Sequence, residues 1–307
     1  MAASELPGFE CFEFEGRPVY VRRAEASDAH PPRPVLVMHE LPGFTPQAIG
    51  FAFRLAAAGY SAYMPLLFGQ PGRRLSRFGQ LRVCMRREIG AFAAHRTSRL
   101  ADRMRRLCGE IHRRTQAEGR PAAGVGALGM CLTGGYVLAT LAEPSVVAGV
   151  LAQPAIPFAT WPGRERKKAA LGIAPDDLDA AAGRRLPLLA LRFSNDRICP
   201  AERFEVLEKR FDVDAHCIPT PDERWGLEAD AHSVLTEEYT KMADRERREK
   251  LAPHEQHPVR LAFGRLTDYL EDRFEAAEGG GREDLELEQM DGGAMHDGGA
   301  GSAQGDR

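Results

Sequence analysis

A chain of 307 residues suits one large domain or two small ones, and one domain followed by a tail is the simpler expectation. Its 41 basic and 44 acidic residues leave a net charge of -3 and are mixed through most of the sequence. That balance excludes a bulk electrostatic case for nucleic acid or an anionic membrane, and a small-molecule partner fits it better.

The N-terminus, MAASELPGFECFEFEG, is acidic where an export signal would be basic and then apolar. Residues 16–23 (GRPVYVRR) alternate as an edge strand does. Pro31, Pro32 and Pro34 break the chain before residues 35–39 (VLVMH), a buried strand that ends in the turn Glu40-Leu41-Pro42-Gly43. A helical pattern follows through Ile49, Phe53, Leu55 and Ala56 and stops at Gly59. Residues 60–65 predict a second core strand, and the Gly- and Arg-rich residues 69–79 a surface loop.

Residues 81–114 carry apolar side chains at helical spacing among many arginines, which read as a solvated face with one or two available to an anionic substrate. Residues 125–130 (VGALGM) predict a strand with a helix behind it over residues 132–141. Two more strands are expected at 146–152 and 186–193, and between them the charged residues 161–183 predict a cap or lid. Strands alternating with helices in this way predict an α/β fold with a mostly parallel central sheet covered by helices on both faces. Ligands bind such a sheet beyond the carboxyl ends of its strands. A final helix is expected at 266–274; residues 277–307, dominated by Gly, Glu, Asp and Ala, then predict a disordered tail after a domain spanning 1–276.

No apolar run reaches the roughly 20 residues that span a bilayer, so a soluble protein is expected. Six scattered cysteines without a C-x-x-C pair suit free thiols in the cytoplasm. A free cysteine is most often a small buried hydrophobe. Cys131 differs because Gly129-Met130-Cys131-Leu132-Thr133-Gly134-Gly135 lies between a strand and a helix, where a nucleophile elbow sits. Gly129 and Gly134 supply the small neighbours an elbow needs, whereas Thr133 is bulkier than the usual glycine. A helix start favours attack as a thiolate, and the amide of Leu132, with that of Leu41 after the earlier strand, forms the expected oxyanion hole.

A hydrolase of this plan requires the chain order nucleophile, acid, histidine. Asp196 follows the strand at 186–193, and His232 lies between a strand-like stretch at 214–219 and an apparent helix. Each has a plainer reading, as a capping or turn residue and as a surface histidine. Together with Cys131 they form a candidate catalytic set of nucleophile, acid and base, with His39 the rival base.

These motifs resemble the dienelactone hydrolase family of the α/β-hydrolase superfamily. The resemblance rests on His39-Glu40-Leu41-Pro42-Gly43, Arg54-Leu55-Ala56-Ala57-Ala58-Gly59-Tyr60, the elbow, and the Asp196 and His232 segments, over residues 12–274. It implies an α/β-hydrolase fold, a Cys-His-Asp triad that opens lactones or small esters through a thioester, and no metal or cofactor. It also implies that Glu40 contacts the resting cysteine and helps to generate its thiolate when substrate binds. The family's carboxylate-binding arginines do not transfer, because residues 73–106 offer too many arginines and no local motif. A monomer or homodimer is expected.

Two other classes compete. A glutamine amidotransferase also places a cysteine on an elbow, but its His-x-Glu pair is missing: no histidine here has Glu or Asp two positions later. An inactive binding protein of the same fold would keep Cys131 for packing, and Thr133 is the feature in its favour. His254-Glu255-Gln256-His257 lacks the His-Glu-x-x-His spacing of a metal-binding helix and reads as part of a charged, solvated helix.

Overall fold

A computed structural model describes residues 5–25, 31–84, 98–118, 122–158 and 163–292. In chain order the elements are β1 (Glu10–Phe14), β2 (Arg17–Arg22), β3 (Pro34–Met38), α1 (Pro46–Ala57), β4 (Ser61–Pro65), α2 (Arg77–Cys84) and α3 (Arg99–Ala117). Then come β5 (Val125–Met130), α4 (Tyr136–Thr140), β6 (Val146–Ala152), α5 (Arg164–Ala169), α6 (Pro175–Gly183) and β7 (Leu188–Phe193). The chain continues with α7 (Ala201–Arg210), β8 (Val213–Ile218), α8 (Glu237–Glu249) and α9 (Pro258–Gly292).

One eight-stranded sheet runs in the order β1-β2-β4-β3-β5-β6-β7-β8. The pairs β1–β2 and β2–β4 are antiparallel and the rest are parallel. β3, β5 and β7 are buried at every position, because helices cover both faces of the parallel part and their sequences must be apolar throughout. Side chains nevertheless alternate between two cores. Val35, Val37 and Leu128 meet Phe51 and Leu55 of α1 and Leu266, Leu270 and Phe274 of α9. Leu36, Met38 and Ala127 meet Met104, Leu107 and Ile111 of α3 and Phe204 and Leu207 of α7.

Three expectations change. The stretch around residues 16–23 is not an edge: β1 pairs along β2 from Glu10 opposite Val21 to Phe14 opposite Arg17, and β4 takes the other side. The acidic look of the N-terminus hid that strand; its Phe12 and Phe14 pack on the core. The helical stretch at 81–114 is described as α2 and α3, with 85–97 outside the described residues. Residues 254–257 form a turn before α9 rather than a helix face. There His257 accepts from the Val259 amide (3.3 Å) and meets the Trp225 carbonyl (3.2 Å).

The charged stretch expected as a cap folds in its described part into α5 and α6. Buried Arg203 of α7 ties it down by donating to the carbonyls of Lys167 (2.9 Å) and Ala170 (2.9 Å), and to those of Pro154 and Pro157 (2.6 Å each). On α3, Arg103 and Arg106 pair with Glu15 rather than standing free, and Arg114 lies 4.0 Å over Phe12. The last helix is described to Gly292, past the change in composition at 277; residues 293–307 lie outside the described residues. Among the described residues no helix is long and apolar enough to cross a membrane.

Candidate active site

The order β3-β5-β6-β7 sets four parallel strands side by side, so the residues just after them share one edge of the sheet. Glu40, Cys131, Gln153 and Asp196 are those residues. This is where a sheet of this type builds its sites.

Cys131 follows β5 directly, with φ at +52°, a left-handed conformation that costs a non-glycine residue about 1–3 kcal/mol and persists where its surroundings impose it. Close packing imposes it here. A Cβ on Gly129 would stand 2.4 Å from the Thr133 carbonyl oxygen, and one on Gly134 would stand 2.8 Å from Pro154 Cα. The Cys131 carbonyl accepts from the amides of Ala155 (2.9 Å) and Gly134 (3.1 Å).

Thr133 has a structural use that its bulk does not suggest. It is fully buried; its hydroxyl donates to the Met38 carbonyl (2.7 Å) and accepts from the Met130 amide (3.0 Å). The elbow is thereby strapped to the end of β3, two residues before Glu40. Thr133→Val keeps the shape and removes both of these buried hydrogen bonds to the backbone, so it should destabilise the fold by about 1–3 kcal/mol. Urea unfolding checks this, and an unchanged midpoint removes Thr133 as a strap.

Asp196 lies in the loop after β7, nearly inaccessible, and its two oxygens are divided. Oδ1 accepts from the amides of Ile198 (2.8 Å) and Cys199 (3.1 Å), and Oδ2 meets His232 Nδ1 at 2.6 Å. His232 sits between β8 and α8 with its Nε2 buried and with no hydrogen-bond partner other than the Cys131 sulfur. A ring nitrogen of His232 lies within 4.8 Å of both Cys131 Sγ and a Glu40 oxygen, and with Nδ1 committed to Asp196, Nε2 is the one left for them. Burial alone would lower the His232 pKa, but the Cys131 sulfur and the Asp196 carboxylate outweigh it and hold the imidazole well above its usual range.

Glu40 is buried and accepts from Ser233 Oγ (2.8 Å), from Gln153 Nε2 (3.2 Å) and, more closely, from Thr236 Oγ1. Burial raises its pKa, opposed by Thr236, His232, Ser233 and Gln153. Leu41 and Leu132 occupy matching positions: Met38 pairs with Gly129 across β3 and β5, and each leucine lies three residues beyond its member of that pair. The structure therefore gathers Cys131, His232, Asp196 and Glu40, with both leucines beside them.

His39, the rival base, is committed elsewhere. Its Nδ1 donates to the Glu40 carbonyl (3.2 Å), its Nε2 accepts from the Leu67 amide (3.2 Å), and its ring stacks on Phe44 and meets the edge of Phe68. These partners assign the neutral tautomer. Burial pushes its pKa down to about 4, while the unfolded value is about 6.5. The unfolded chain thus takes up a proton first as pH falls, so stability present above about pH 6.5 drains away toward pH 4, by about 3 kcal/mol. Wild type should lose about that much more between pH 7 and pH 4 than His39→Gln, by urea unfolding at each pH; equal losses would remove His39 as the cause.

Sequence reasoning missed Gln153, Ser233 and Thr236, the three residues that hold Glu40. Gln153 had one usable signal, its place directly after an apolar strand. A cavity of about 160 Å³ is lined by Arg17, Arg99 and Arg103 beside Phe68 and Met104, and none of Glu40, Cys131, Asp196 and His232 is among its lining residues.

The family model described as "Dienelactone hydrolase family" matches residues 19–218. Among curated proteins none matches this sequence. A candidate dienelactone hydrolase from Klebsiella pneumoniae subsp. pneumoniae has a similar structure, with a TM-score of 0.53 at 18% identity over 86% of this chain and 97% of that one. A dienelactone hydrolase-like promiscuous phosphotriesterase from metagenomic libraries gives 0.52 at 13% identity, over 84% and 92% of the two chains. At such identities the likeness speaks for the fold, which is the α/β-hydrolase fold.

Proposed function

This chain belongs to the dienelactone hydrolase family, and on that premise we propose that it hydrolyses a small ester or lactone with Cys131 as nucleophile, His232 as base and Asp196 as the residue that orients the imidazole. The observation that carries the reading is His232 held between Asp196, at 2.6 Å, and Cys131, whose sulfur lies within 4.8 Å.

Cys131 Sγ adds to the carbonyl carbon as its proton resides on His232 Nε2, and the amides of Leu41 and Leu132 receive the charge that develops on oxygen. The tetrahedral adduct collapses, the C–O bond to the leaving oxygen breaks, and that oxygen takes the proton from His232. A thioester remains. His232 then takes a proton from water as the water oxygen attacks the thioester, and the C–S bond breaks to release the acid and restore the cysteine. In a lactone the leaving oxygen stays tethered, so one hydroxy or keto acid forms. Glu40, held by Gln153, Ser233 and Thr236 beside Cys131, fits the family's role of helping to generate the thiolate.

A panel of activated esters and small lactones, assayed against wild type and Cys131→Ala, tests the proposal. Turnover by wild type alone supports it; hydrolysis of no member, or equal rates from both proteins, sinks it. The described cysteines Cys11, Cys108, Cys131, Cys199 and Cys217 are all unpaired, which supports a reducing compartment such as the cytoplasm.

A further inference from the structure

The atoms that face one another in the site are also a ligand set. Cys131 Sγ, an imidazole nitrogen of His232 and a Glu40 oxygen all lie within 4.8 Å of one another. Around a tetrahedral zinc ion, with bonds of about 2.3 Å to sulfur and about 2.0–2.2 Å to nitrogen and oxygen, such atoms stand about 3.4–3.6 Å apart. From a separation of at most 4.8 Å, the three side chains need to close by no more than about 1.4 Å.

Two further features suit an ion. His232 Nε2 is buried with no hydrogen-bond partner other than the Cys131 sulfur, while Nδ1 is fixed by Asp196; a carboxylate behind a histidine is the usual outer partner of a metal-binding imidazole. Gln153, also fully buried, binds Glu40 through Nε2 and leaves Oε1 without a partner. One thiolate, one imidazole and one carboxylate favour a thiophilic, borderline-soft ion over Mg²⁺ or Ca²⁺.

We propose that Glu40, Cys131 and His232 together bind one zinc-like divalent ion, with a fourth position open to water, and that this binding silences the hydrolase. Silencing follows from the ligands: the ion occupies the sulfur that would attack and the nitrogen that would carry the proton. The metal site rests on the placement of three side chains, and its silencing effect rests on the roles proposed above for Cys131 and His232.

Titrating the full chain with Co²⁺, an optical stand-in for Zn²⁺, tests it. One equivalent should produce a near-ultraviolet sulfur-to-cobalt absorption with intense tetrahedral bands, and Zn²⁺ should erase both. Cys131→Ala should lose the charge-transfer band. Glu40→Gln should weaken binding about tenfold or more, and Asp196→Asn about 10–100-fold through the imidazole it orients. His254→Ala, outside the site, should bind as wild type. No one-equivalent band, a band that survives in Cys131→Ala, or unchanged affinity in Glu40→Gln overturns the proposal. Ester turnover that Zn²⁺ abolishes and EDTA restores supports it, and turnover indifferent to Zn²⁺ overturns the silencing. A cobalt band in a protein that hydrolyses nothing leaves the metal site standing and removes the hydrolase reading instead.

Discussion

Cys131→Ala should lower kcat by about a million-fold while the protein still folds. The size follows from the unity of a nucleophile and its base: removing either from a comparable triad costs nearly as much as removing all of it, about 8 kcal/mol in barrier height. The survival of the fold follows from what the substitution spares. Alanine keeps the Cβ and all the backbone hydrogen bonds of residue 131, including those its carbonyl accepts from Ala155 and Gly134. It accepts the left-handed φ of +52° at much the same cost as cysteine does. Only the sulfur is lost, from a residue that is 6% exposed and packed in the α3 side of the core. Steady-state rates on whichever ester the panel identifies, together with urea unfolding, give both readouts. A variant within tenfold of wild type would remove Cys131 as the nucleophile, and one that fails to fold is replaced by Cys131→Ser. Serine should also be poor, because a site that serves a thiolate does not equally activate a hydroxyl.

Asp196→Asn should cost about 10⁴-fold in kcat, and the reason lies in how the two carboxylate oxygens are used. Oδ1 faces two backbone donors, the amides of Ile198 and Cys199, at 2.8 and 3.1 Å. An asparagine at this position must present its carbonyl oxygen to them, since its NH₂ would meet N–H against N–H. The NH₂ then points at His232 Nδ1, which can only accept from it. That forces the proton onto Nε2, the nitrogen facing Cys131, where an acceptor is needed. A tautomer error of this kind in a serine triad has about this cost. The change is nearly isosteric and preserves the turn, so unfolding should shift little. Alkylation of Cys131 by iodoacetamide should slow together with kcat; an Asn variant of undiminished rate would show that Asp196 does not orient the base.

Much of this site was legible in order but not in arrangement. Short apolar runs between helical stretches marked β3, β5, β6 and β7 closely, since strands buried on both faces have to be apolar at every position. The elbow and the chain order Cys131, Asp196, His232 could be read directly, because chain order is itself a requirement of the hydrolase plan. Glu40 read as a turn residue until family resemblance gave it a role. β1 escaped notice because two phenylalanines among acidic residues carry too weak a local signal without the partner strand.

What the sequence by itself determined, then, was the fold class, the elbow and the candidates proposed as nucleophile, acid and base. Tertiary structure alone decided that His39 is committed to Leu67 and the Glu40 carbonyl while His232 meets Asp196, why Thr133 is tolerated at the elbow, and that Gln153, Ser233 and Thr236 hold Glu40. The physical reason is range. Strands and elbows follow from patterns a few residues long, whereas these decisions depend on strand order and register. Ser233 meets Glu40 across 193 residues of chain, and Thr133 meets Met38 across 95. No local pattern encodes such a meeting; only the packed sheet brings the partners together.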